Sequence, residues 1–445
     1  MYYKNNSFLV VGMQKSGYYS SKLLLEKGAT VYLYDTRNSE LVKNNIEELT
    51  SLGAKVVEDL GNVEKICNVL VLSPGVPIDS EIVVKFKKAK KRVLGELELG
   101  SMQFTTPIIA VTGTNGKTTV STMLERALNS ANINAELVGN VGVPVTSKIS
   151  EIIKSDVVVI EVSSFQLEST YAFIPHVSIV LNLSPDHLDR HYTFENYSLV
   201  KSKIVIPQKE SEYSVLNYDD ETVREFSSLS PSNTVWFSCK EKVNGAYIEE
   251  GNVCYMGEVV FKYNPEVIKT AYSLENILAV VATLKIMGLK NEDIESSINE
   301  FGGVKHRREV VAQINGVTYI NDSKSTNPAS TISAIKELDR QTLLILGGYD
   351  KGLELSELFK GIKLNEFIKC VILTGQSALN MASVASKEGV LKLSIASDFT
   401  SAVKLATTLA NEGDCVLLSP ATSSFDEFES YEQRGERFSE IVKST

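Results

Sequence analysis

The sequence predicts an α/β protein of about three domains, each built on a mainly parallel sheet with helices packed against it. Short apolar runs are followed repeatedly by glycine-containing or polar loops and then by helical spacing, which is the alternation that parallel sheets require. A length of 445 residues suits about three domains. The chain is 43% hydrophobic and 22% charged, as soluble globular proteins usually are.

The charge and the cysteine content argue against several classes of protein. The formal net charge of −10 argues against a general nucleic-acid binder, whose domains are usually basic. No apolar run approaches the ~18 residues of a membrane span, and the first residues lack a signal-peptide pattern. Disulfides and a zinc site are not expected, and a reducing cytoplasm fits, because the cysteines are scattered without a paired motif. They are Cys67, Cys239, Cys254, Cys370 and Cys415.

The chain is predicted to begin with a βαβ unit. A buried strand over residues 8–11 leads into a glycine-bearing turn, a helix and a second strand over residues 30–34. Asp35 ends the second strand, where an acid often binds a ribose hydroxyl. Gln14 occupies a position that the dinucleotide fingerprint reserves for glycine, which argues against a nicotinamide site. A site for another nucleotide or its phosphates, and a purely structural turn, both remain open.

A second loop in this region follows the buried strand over residues 69–72. It contains Ser73, Pro74 and Gly75. Backbone groups at the carboxyl edge of an open α/β sheet commonly bind ligands. A plain Pro-Gly turn is the alternative, and the pattern does not decide between the two.

A phosphate-binding loop is predicted over residues 108–119, where a buried strand, a glycine loop and a helical pattern follow one another. Glycines let backbone N–H groups point at a phosphate, a lysine reaches the β and γ phosphates, and a hydroxyl can bind Mg²⁺. Val111 replaces the first glycine of the strict pattern, so an ordinary strand-to-helix turn is the alternative. The residues that carry the pattern are Gly113, Gly116, Lys117 and Thr118.

Polar residues also follow buried strands in the central region. Glu161 ends the strand over residues 156–160, where a carboxylate is a natural Mg²⁺ ligand and a helix N-terminal acid is the alternative. His187 follows the strand over residues 177–182 and lies between acids, which favours a functional role over a structural one. The pattern around Lys201 by itself indicates only a solvated helix lysine.

Three strands in the last third of the chain each deliver a polar loop. These loops span residues 321–328, 347–352 and 419–426. Because the carboxyl ends of parallel strands meet at one edge of a sheet, the three loops together predict a binding site at a topological switch point. A charge cluster over residues 305–309 precedes them. A guanidinium there suits phosphate charge, although such runs are usually solvated.

Several of these segments resemble signatures of the Mur ligases, a family of ATP-dependent amide-bond-forming ligases. Thr-Gly-Thr-Asn-Gly-Lys-Thr-Thr (112–119) is similar to the ATP loop that this family shares with folylpolyglutamate synthetases. Glu-Val-Ser-Ser-Phe-Gln-Leu (161–167), Asn-Leu-Ser-Pro-Asp-His-Leu-Asp (182–189) and Tyr-x-x-x-Lys (197–201) match the family in order and spacing. Two C-terminal motifs look like the members that add D-glutamate, and the D-N-P-R motif of diaminopimelate- or lysine-adding members is missing. They are Asn-Asp-Ser-Lys-Ser-Thr (321–326) and Ser-Pro-Ala-x-x-Ser-Phe-Asp-x-Phe (419–428).

The resemblance covers essentially the whole chain and implies a domain division and a reaction. The implied domains are a Rossmann-like UDP-binding domain over residues 1–97, a P-loop ATPase domain over 98–302 and a Rossmann-like, amino-acid-binding domain over 303–445. The implied reaction joins D-glutamate to UDP-N-acetylmuramoyl-L-alanine through an acyl phosphate and releases ADP and phosphate, in cytoplasmic peptidoglycan precursor synthesis. ATP, two Mg²⁺ ions and a carbamylated Lys201 are implied. The protein is expected to be a monomer without nucleic-acid or membrane partners.

The resemblance also implies roles for individual residues. Those implied to bind the UDP-linked substrate are Ser16, Gly17, Asp35, Thr36, Arg37, Ser73, Pro74, Gly75 and Asn140. Those implied to bind ATP are Gly113, Thr114, Asn115, Gly116, Lys117, Thr118, Thr119, Asn276, Arg307, Asp322 and Lys324. Those implied to bind D-glutamate are His187, Thr326, Lys351, Ser424, Phe425 (through its backbone) and Tyr431. The implied magnesium ligands are Thr118, Glu161, His187 and Lys201, and the implied catalytic residues are Lys117, Glu161, His187 and Lys201.

Three other functions remain as alternatives. A folate-type glutamate ligase shares the ATP loop, but the first domain and the C-terminal motifs argue against it. A nicotinamide oxidoreductase is disfavoured by Gln14 and by the full ATP-binding pattern. A non-catalytic nucleotide-binding regulator would require a broken metal or phosphate site, and the sequence contains no broken one.

The choice of Lys201 as a ligand depends on the helix register, because Lys203 lies close by.

Overall fold

The computed structural model describes residues 3–4, 6–37, 39–140, 143–264, 273–301, 303–336, 338–350 and 352–444. These residues form two compact units: unit 1 ends at residue 301, and unit 2 begins after it. Lys351, one of the residues predicted to bind D-glutamate, lies outside the described residues.

The first part of unit 1 is a parallel sheet with helices on both faces. Alternate side chains of its central strand pack into opposite clusters, with Phe8 and Val10 on one face and Leu9 and Val11 on the other. Its elements are β1 (Ser7–Val11), α1 (Lys15–Glu26), β2 (Thr30–Tyr34), α2 (Glu40–Ser51), β3 (Lys55–Val56), α3 (Val63–Ile66), β4 (Val69–Leu72), α4 (Glu81–Lys88), β5 (Arg92–Gly95) and α5 (Glu96–Ser101).

The strand order of this sheet is β3-β2-β1-β4-β5 among the described residues, and every pairing is parallel. β1 therefore lies between β2 and β4, and Val11 is opposite both Tyr34 and Leu72. The three loops that follow these strands consequently meet at one edge of the sheet, where the strand order reverses.

The second part of unit 1 is a larger mixed sheet. Its elements are β6 (Ile108–Thr112), α6 (Lys117–Ser130), β7 (Ala135–Gly139), α7 (Ile149–Ile152), β8 (Val157–Glu161), α8 (Ser164–Leu167), β9 (Val177–Val180), α9 (Leu188–His191), α10 (Phe194–Ser202), β10 (Tyr213–Asn217), α11 (Glu221–Glu225), β11 (Asn233–Ser238), β12 (Gly245–Glu249), β13 (Asn252–Tyr255), β14 (Glu258–Lys262), α12 (Leu274–Ile286) and α13 (Asn291–Asn299), with 3₁₀ turns at Val145–Ser147 and Phe226–Leu229.

The strand order of the larger sheet is β14-β13-β12-β11-β10-β9-β6-β8-β7 within the described residues. The pairings from β7 to β12 are parallel, and β13 and β14 extend the sheet in antiparallel fashion. β6, β8 and β9 are buried along their whole length, as the apolar runs predicted. In register, Val111 of β6 lies opposite Glu161 of β8, which brings that carboxylate to the loop after β6.

Unit 2 contains a third sheet, in the order β15-β16-β20-β17-β18-β19 among its described residues. Its elements are β15 (Glu309–Ile314), β16 (Val317–Asn321), α14 (Pro328–Lys336), β17 (Thr342–Gly347), α15 (Ser356–Leu364), β18 (Ile368–Thr374), α16 (Ala378–Glu388), β19 (Leu393–Ile395), α17 (Phe399–Leu409), β20 (Cys415–Leu418) and α18 (Tyr431–Lys443). Asn315 and Gly316, both with positive φ, turn the β15–β16 hairpin. Leu418 of β20 is opposite Asn321 and Ile345, so the loops after β16, β17 and β20 adjoin.

The predicted α/β class is confirmed, and three sheets lie in the described part of the chain. Each sheet falls within one of the three predicted domains, but the contacts divide the chain into two units, so the boundary near residue 97 stays a prediction. No described helix is both long and apolar enough to cross a membrane. The antiparallel pairing of β13 with β14 and of β15 with β16 was not predicted, because alternating runs indicate strands but not the direction in which they pair.

Candidate active site

A cavity of about 780 Å³ opens at the carboxyl ends of β1, β2 and β4, and we name it the first cavity. The turn after β1 and the loop after β4, predicted separately from the sequence, both line it because their strands are neighbours. The predicted residues that line it are Ser16, Asp35, Thr36, Arg37, Ser73, Pro74 and Gly75. Lys15, to which no role was assigned, lines it too and adds a positive charge.

Asp35 is held by its own surroundings. Its carboxylate accepts hydrogen bonds from the backbone N–H of Met13 at 2.6 Å, from the backbone N–H of Arg37 at 2.9 Å and from the Arg37 guanidinium at 2.9 Å. Burial alone would raise the pKa of Asp35, but these hydrogen bonds and the Arg37 charge outweigh burial, and the pKa is lowered. An ionised Asp35 thus fixes the turn and Arg37 before any ribose hydroxyl reaches it.

Two residues predicted to bind the UDP-linked substrate lie elsewhere. Gly17 is buried in α1, and a Cβ there would overlap the carbonyl oxygen of Gly12. Its glycine identity is therefore required by close packing of the helix against the turn. Asn140 follows β7 in the larger sheet, where its side-chain amide donates to Glu161 Oε1 at 2.8 Å.

The loop between β6 and α6 has the backbone form of a phosphate site. Gly113 and Gly116 have φ angles of 151° and 87°, which favour glycine. Gly116 caps α6, so the helix begins directly at Lys117 and its first N–H groups point towards the loop. Lys117 Nζ donates to the carbonyl oxygens of Gly113 and Thr114, each at 2.8 Å. Thr118 and Thr119 are buried in the first turn.

Asn182, to which the sequence analysis gave no role, fixes this loop. Its carbonyl oxygen accepts from the N–H of Thr114 and its side-chain oxygen from the N–H of Asn115, both at 2.8 Å. The Thr114 hydroxyl lies 3.0 Å from that of Tyr197 on α10. Asn182 follows β9, the strand that pairs with β6, and this position could have predicted its contact with the loop. The pairing itself is known only from the strand order of the structure.

Asn276 lies against the same loop. It is buried near the start of α12, and a Cβ on Gly116 would clash with its side-chain oxygen. The structure thus brings Asn276, a residue predicted to bind ATP, next to the predicted phosphate loop, although 160 residues separate it from Gly116 in sequence. Gly116 is required both by its φ and by this close approach.

The buried carboxylate of Glu161 has the character of a metal ligand. Its Oε1 accepts from Asn140, while its Oε2 is buried and has no hydrogen-bond partner among the described residues. A buried carboxylate oxygen without a donor is costly unless a cation or another ligand approaches it. Because Mg²⁺ prefers carboxylate oxygens, Glu161 fits the predicted role of a magnesium ligand.

Lys201 and Lys203 point to different places. Lys201 is 1% exposed, and its Nζ donates to the Thr112 hydroxyl at 3.1 Å and to the Gly113 carbonyl at 3.0 Å. Lys203 Nζ instead donates to the carbonyl oxygen of Glu168. Desolvation, followed by the nearby charge of Lys117, lowers the pKa of Lys201 well below the ordinary lysine value. The lowered pKa favours the neutral form of the amine, which is the form that reacts with carbon dioxide.

His187 begins α9 with a left-handed backbone, φ 52° and ψ 37°. Its ring lies 4.8 Å from that of Phe165, and its Nε2 lies 3.5 Å from Asp186 Oδ2. About half of the side chain is exposed, so the ring is accessible to a ligand.

No group of three or more His, Cys, Asp or Glu among the described residues is arranged to hold a metal. The predicted magnesium set does not require one, because it also uses Thr118 and a modified lysine.

In unit 2, Asp322 is a buried acid at the meeting point of β16 and β20. Its carboxylate accepts from the hydroxyls of Ser325 at 2.6 Å and Ser419 at 2.8 Å, and from the N–H of Arg308 at 3.3 Å. Burial raises the pKa of Asp322, although the two hydroxyls oppose the shift. Asp322 therefore ties the loop after β16 to the loop after β20.

Other predicted residues of unit 2 surround this junction. Lys324 places its ammonium 5.6 Å from the ring centre of Tyr431, which begins α18. The N–H of Thr326 donates to the carbonyl oxygen of Lys324 at 2.9 Å, which fixes the hydroxyl-bearing turn. Arg307 lies two residues before β15, and its charge partly opposes the rise in the pKa of Asp322 that burial causes. Lys324 and Thr326 follow β16, at the edge of the sheet where the loops after β16, β17 and β20 adjoin.

The loop after β20 exposes one predicted residue and buries another. Ser424 is 1% exposed and Phe425 66%, so the Phe425 ring faces solvent and leaves a backbone contact as its predicted role. The hydroxyls of Thr374, Thr422 and Ser423 are buried and have no hydrogen-bond partner among the described residues. Unsatisfied hydroxyls at a strand edge are available to a ligand. The sequence pattern did not single them out.

Arg434 on α18 is a residue to which no role was assigned from the sequence. Its guanidinium is 2% exposed and donates to the carbonyl oxygens of Ser323, Thr422, Ser423 and Gly347 and to the Ser323 hydroxyl, at 3.0 to 3.4 Å. Desolvation lowers the pKa of Arg434 to about 10. One side chain thereby connects the three polar loops of unit 2.

Replacing Arg434 with methionine is expected to lower the free energy of unfolding of unit 2 by about 3 kcal/mol, because several buried carbonyl oxygens lose their donor. Urea unfolding of the full chain measures this change. Arg437→Met is the matched control: Arg437 lies one turn later on α18, is 47% exposed, pairs only at the surface with Glu440, and should change stability by under ~0.5 kcal/mol. Equal effects of the two substitutions would contradict the assigned role.

Comparison with known proteins yields two family matches. The profile of the Mur ligase middle domain matches residues 111–284. The profile described as Mur ligase, glutamate ligase domain, matches residues 306–422. The two matches together span most of the chain and include the phosphate loop, Glu161, His187 and Asp322.

Curated relatives match along their full length. A UDP-N-acetylmuramoylalanine--D-glutamate ligase of Caldanaerobacter subterraneus subsp. tengcongensis is 38% identical over 446 residues, covering 99% of this chain and 98% of the relative. The ligase of the same name from Clostridioides difficile is 36% identical over 452 residues, covering 99% of each.

Solved structures match in fold at low identity. UDP-N-acetylmuramate-alanine ligase MurC from Thermotoga maritima aligns with a TM-score of 0.61 at 17% identity, covering 99% of this chain and 100% of that one. MurF ligase from Thermotoga maritima, solved in complex with ADP, aligns with a TM-score of 0.60 at 17% identity, covering 94% and 96%. At such identity these likenesses establish the fold alone.

Proposed function

The chain belongs to the Mur ligase family, and from this premise we propose that it joins D-glutamate to UDP-N-acetylmuramoyl-L-alanine with hydrolysis of ATP, in peptidoglycan precursor synthesis. The observation that carries the proposal is the match to curated D-glutamate ligases at 38% and 36% identity over essentially the full chain. The D-glutamate-type motifs at residues 321–326 and 419–428 support the same amino acid.

The first unit supplies a site for each of two substrates. The first cavity, at about 780 Å³, lies within the usual size of small-molecule sites and presents Arg37 and Lys15, whose charges suit a diphosphate. The loop from Gly113 to Thr119 offers N–H groups and Lys117 to the phosphates of ATP. Lys117 gives up its contacts with its own loop carbonyls when a phosphate takes their place.

The chemistry requires an activated carboxylate, because a free carboxylate is a poor acylating agent. The substrate carboxylate attacks the γ-phosphorus of ATP, an acyl phosphate forms, and ADP leaves. The neutral amine of D-glutamate then attacks the acyl carbon, and after a tetrahedral intermediate the new amide bond remains while phosphate leaves. Lys117 and the loop N–H groups stabilise the charge that develops on the transferred phosphoryl group.

We assign magnesium to Thr118, Glu161, His187 and a carbamylated Lys201. The unpartnered Oε2 of Glu161 and the depressed pKa of Lys201 support the assignment. Magnesium when bound neutralises phosphate charge. Starting from its ammonium form, Lys201 loses two protons and gains carbon dioxide as a carbamate, so a side chain that would repel Lys117 and a metal as a cation becomes an anionic ligand.

D-Glutamate is proposed to bind at the edge of the sheet of unit 2. Thr326 and Ser424 lie on adjoining loops there, and Tyr431 stands beside Lys324. The buried hydroxyls of Thr422 and Ser423 are further donors on the same loop. Lys351 is assigned to the same amino acid from the family resemblance alone. We also propose that the protein acts as a monomer in the cytoplasm.

Phosphate release tests the proposed function. The purified chain is supplied with MgATP and UDP-N-acetylmuramoyl-L-alanine, and D-glutamate, L-glutamate, L-lysine and diaminopimelate are added one at a time. Phosphate release that requires both the UDP-linked substrate and D-glutamate is the expected result. Release with another amino acid would keep the ligase and reassign Thr326 and Ser424, whereas no release with any acceptor would refute the ligase.

A further inference from the structure

Arg190 connects the two sites of unit 1, and neither site as proposed above uses it. The residue lies on α9, three positions after His187, and its N–H donates to the His187 carbonyl at 3.0 Å. Its side chain is only 12% exposed. A guanidinium withdrawn from water to this extent needs several fixed partners, and it has them on both sides.

On one side, Arg190 holds the loop of the first cavity. Its Nη2 donates to the carbonyl oxygen of Val76 at 2.8 Å, and its Nη1 lies 3.5 Å from the carbonyl oxygen of Gly75. Gly75 and Val76 both line the cavity. The guanidinium therefore helps to hold this loop, and with it one wall of the cavity.

On the other side, Arg190 contacts α8 and the residue that ends it, Glu168. Its Nε lies 3.2 Å from both carboxylate oxygens of Glu168, which is 6% exposed. Its Cζ lies 4.9 Å from the ring centre of Phe165. That same ring lies 4.8 Å from the imidazole of His187. The guanidinium is therefore one side chain away from a proposed magnesium ligand.

Glu168 has no other strong cationic partner among the described residues. His191 Nδ1 lies 3.5 Å from it, but desolvation lowers the pKa of His191, so the imidazole is neutral near pH 7. Lys203 contacts the backbone carbonyl of Glu168 and not its carboxylate. Arg190 therefore cannot move from Glu168 without leaving a buried carboxylate uncompensated, and the two sides move together.

We propose that Arg190 is a positioning residue that couples binding of the UDP-linked substrate in the first cavity to binding of Mg·ATP, through the loop at Gly75 and Val76, Phe165 and His187. This inference rests on the proposed function. A ligand that shifts the loop at Val76 shifts the guanidinium, the ring stacked on it and the imidazole beyond the ring. By reciprocity, Mg·ATP affects binding in the first cavity by the same factor.

Calorimetry of the full chain measures the coupling directly. The affinity of a non-hydrolysable ATP analogue with MgCl₂ is determined without and with saturating UDP-N-acetylmuramoyl-L-alanine, for the wild type and for Arg190→Lys, Arg190→Gln and Phe165→Leu. Tyr192→Phe is the matched control: it removes an exposed hydrogen bond of 2.7 Å to Asp79 between the same parts of unit 1, two residues away.

The wild type is expected to bind the analogue about fivefold or more tightly with the UDP-linked substrate present. The Arg190 and Phe165 variants should bring the ratio of the two affinities, with and without the UDP-linked substrate, towards one. Their affinity for either ligand alone should change less than this ratio. The Tyr192→Phe variant should keep the wild-type ratio. Phe165→Leu keeps the Arg190–Glu168 pair, so it reports even if an Arg190 variant fails to fold. A wild-type ratio of one, an unchanged ratio in the Arg190 variants, or an equal loss in Tyr192→Phe would overturn the inference. A wild type that does not bind the UDP-linked substrate at all would refute the proposed function as well.

Discussion

Lys117→Ala is expected to lower the rate of ATP-dependent phosphate release by about a thousandfold, the effect of removing one fixed charge from a phosphoryl-transfer site. Lys117 begins α6 and reaches back over the loop to the carbonyl oxygens of Gly113 and Thr114. A phosphate entering the loop replaces these carbonyls as the acceptor of the ammonium. The alanine variant retains the helix N-terminus but loses the only side-chain cation that the loop itself contains.

Lys148→Ala provides the comparison for this prediction. Lys148 belongs to the same unit, is 37% exposed and pairs only at the surface with Glu151, so its loss should leave phosphate release within about twofold of the wild type. Phosphate release and nucleotide affinity are measured for both variants. A Lys117→Ala protein that retains more than a tenth of the wild-type rate would show that the loop is not the phosphate site.

Lys201→Arg is expected to reduce the same rate by about a thousandfold, since it removes the proposed anionic metal ligand and puts a permanent cation in its place. An arginine cannot form the carbamate, and at this position it would add a buried positive charge next to Lys117. In bicarbonate-free buffer the wild type should lose activity and regain it when bicarbonate is supplied. Arginine and lysine are therefore not interchangeable here.

Lys203→Arg distinguishes the role of Lys203, in the turn after α10, from that of Lys201 within the helix. The Lys203 amine contacts the Glu168 carbonyl and not the phosphate loop, so this variant should stay within a few-fold of wild-type activity. With ¹³C-labelled bicarbonate, a carbamate signal is expected in the wild type and in Lys203→Arg and is expected to vanish in Lys201→Arg. A signal that vanishes only in Lys203→Arg would move the modification to that residue.

The sequence predicted the parts of the site that are local patterns. The loop from Gly113 to Thr118 carries its strand, its glycines and its helix within one short segment, so no long-range information was needed. Glu161 was predicted for the same reason, as the acid at the end of a buried strand, and the structure places it at the end of β8. The α/β class followed from the repetition of such segments along the chain.

Contacts between distant segments were not predictable from the residues. Nothing near Asn182 indicates that it fixes the phosphate loop, because this depends on β9 lying beside β6. Arg434 resembles an ordinary charged residue of an amphipathic helix until α18 is placed against the loops at Ser323 and Thr422. Asp35 was assigned to a ribose from its place after β2, and the sequence could not reveal that Met13 and Arg37 already occupy its oxygens.

The position of β6 between β8 and β9 also bears on the order of events during synthesis. Chains leave the ribosome from the N-terminus, and a strand in the middle of a parallel sheet gains its neighbours only when later residues emerge. The loop at Gly113 is therefore synthesised well before Asn182, which fixes its backbone, and still longer before Asn276, which packs against Gly116. A nascent chain that stops short of β9 should not be stabilised by ATP, so the nucleotide can protect this protein from proteolysis only late in its synthesis.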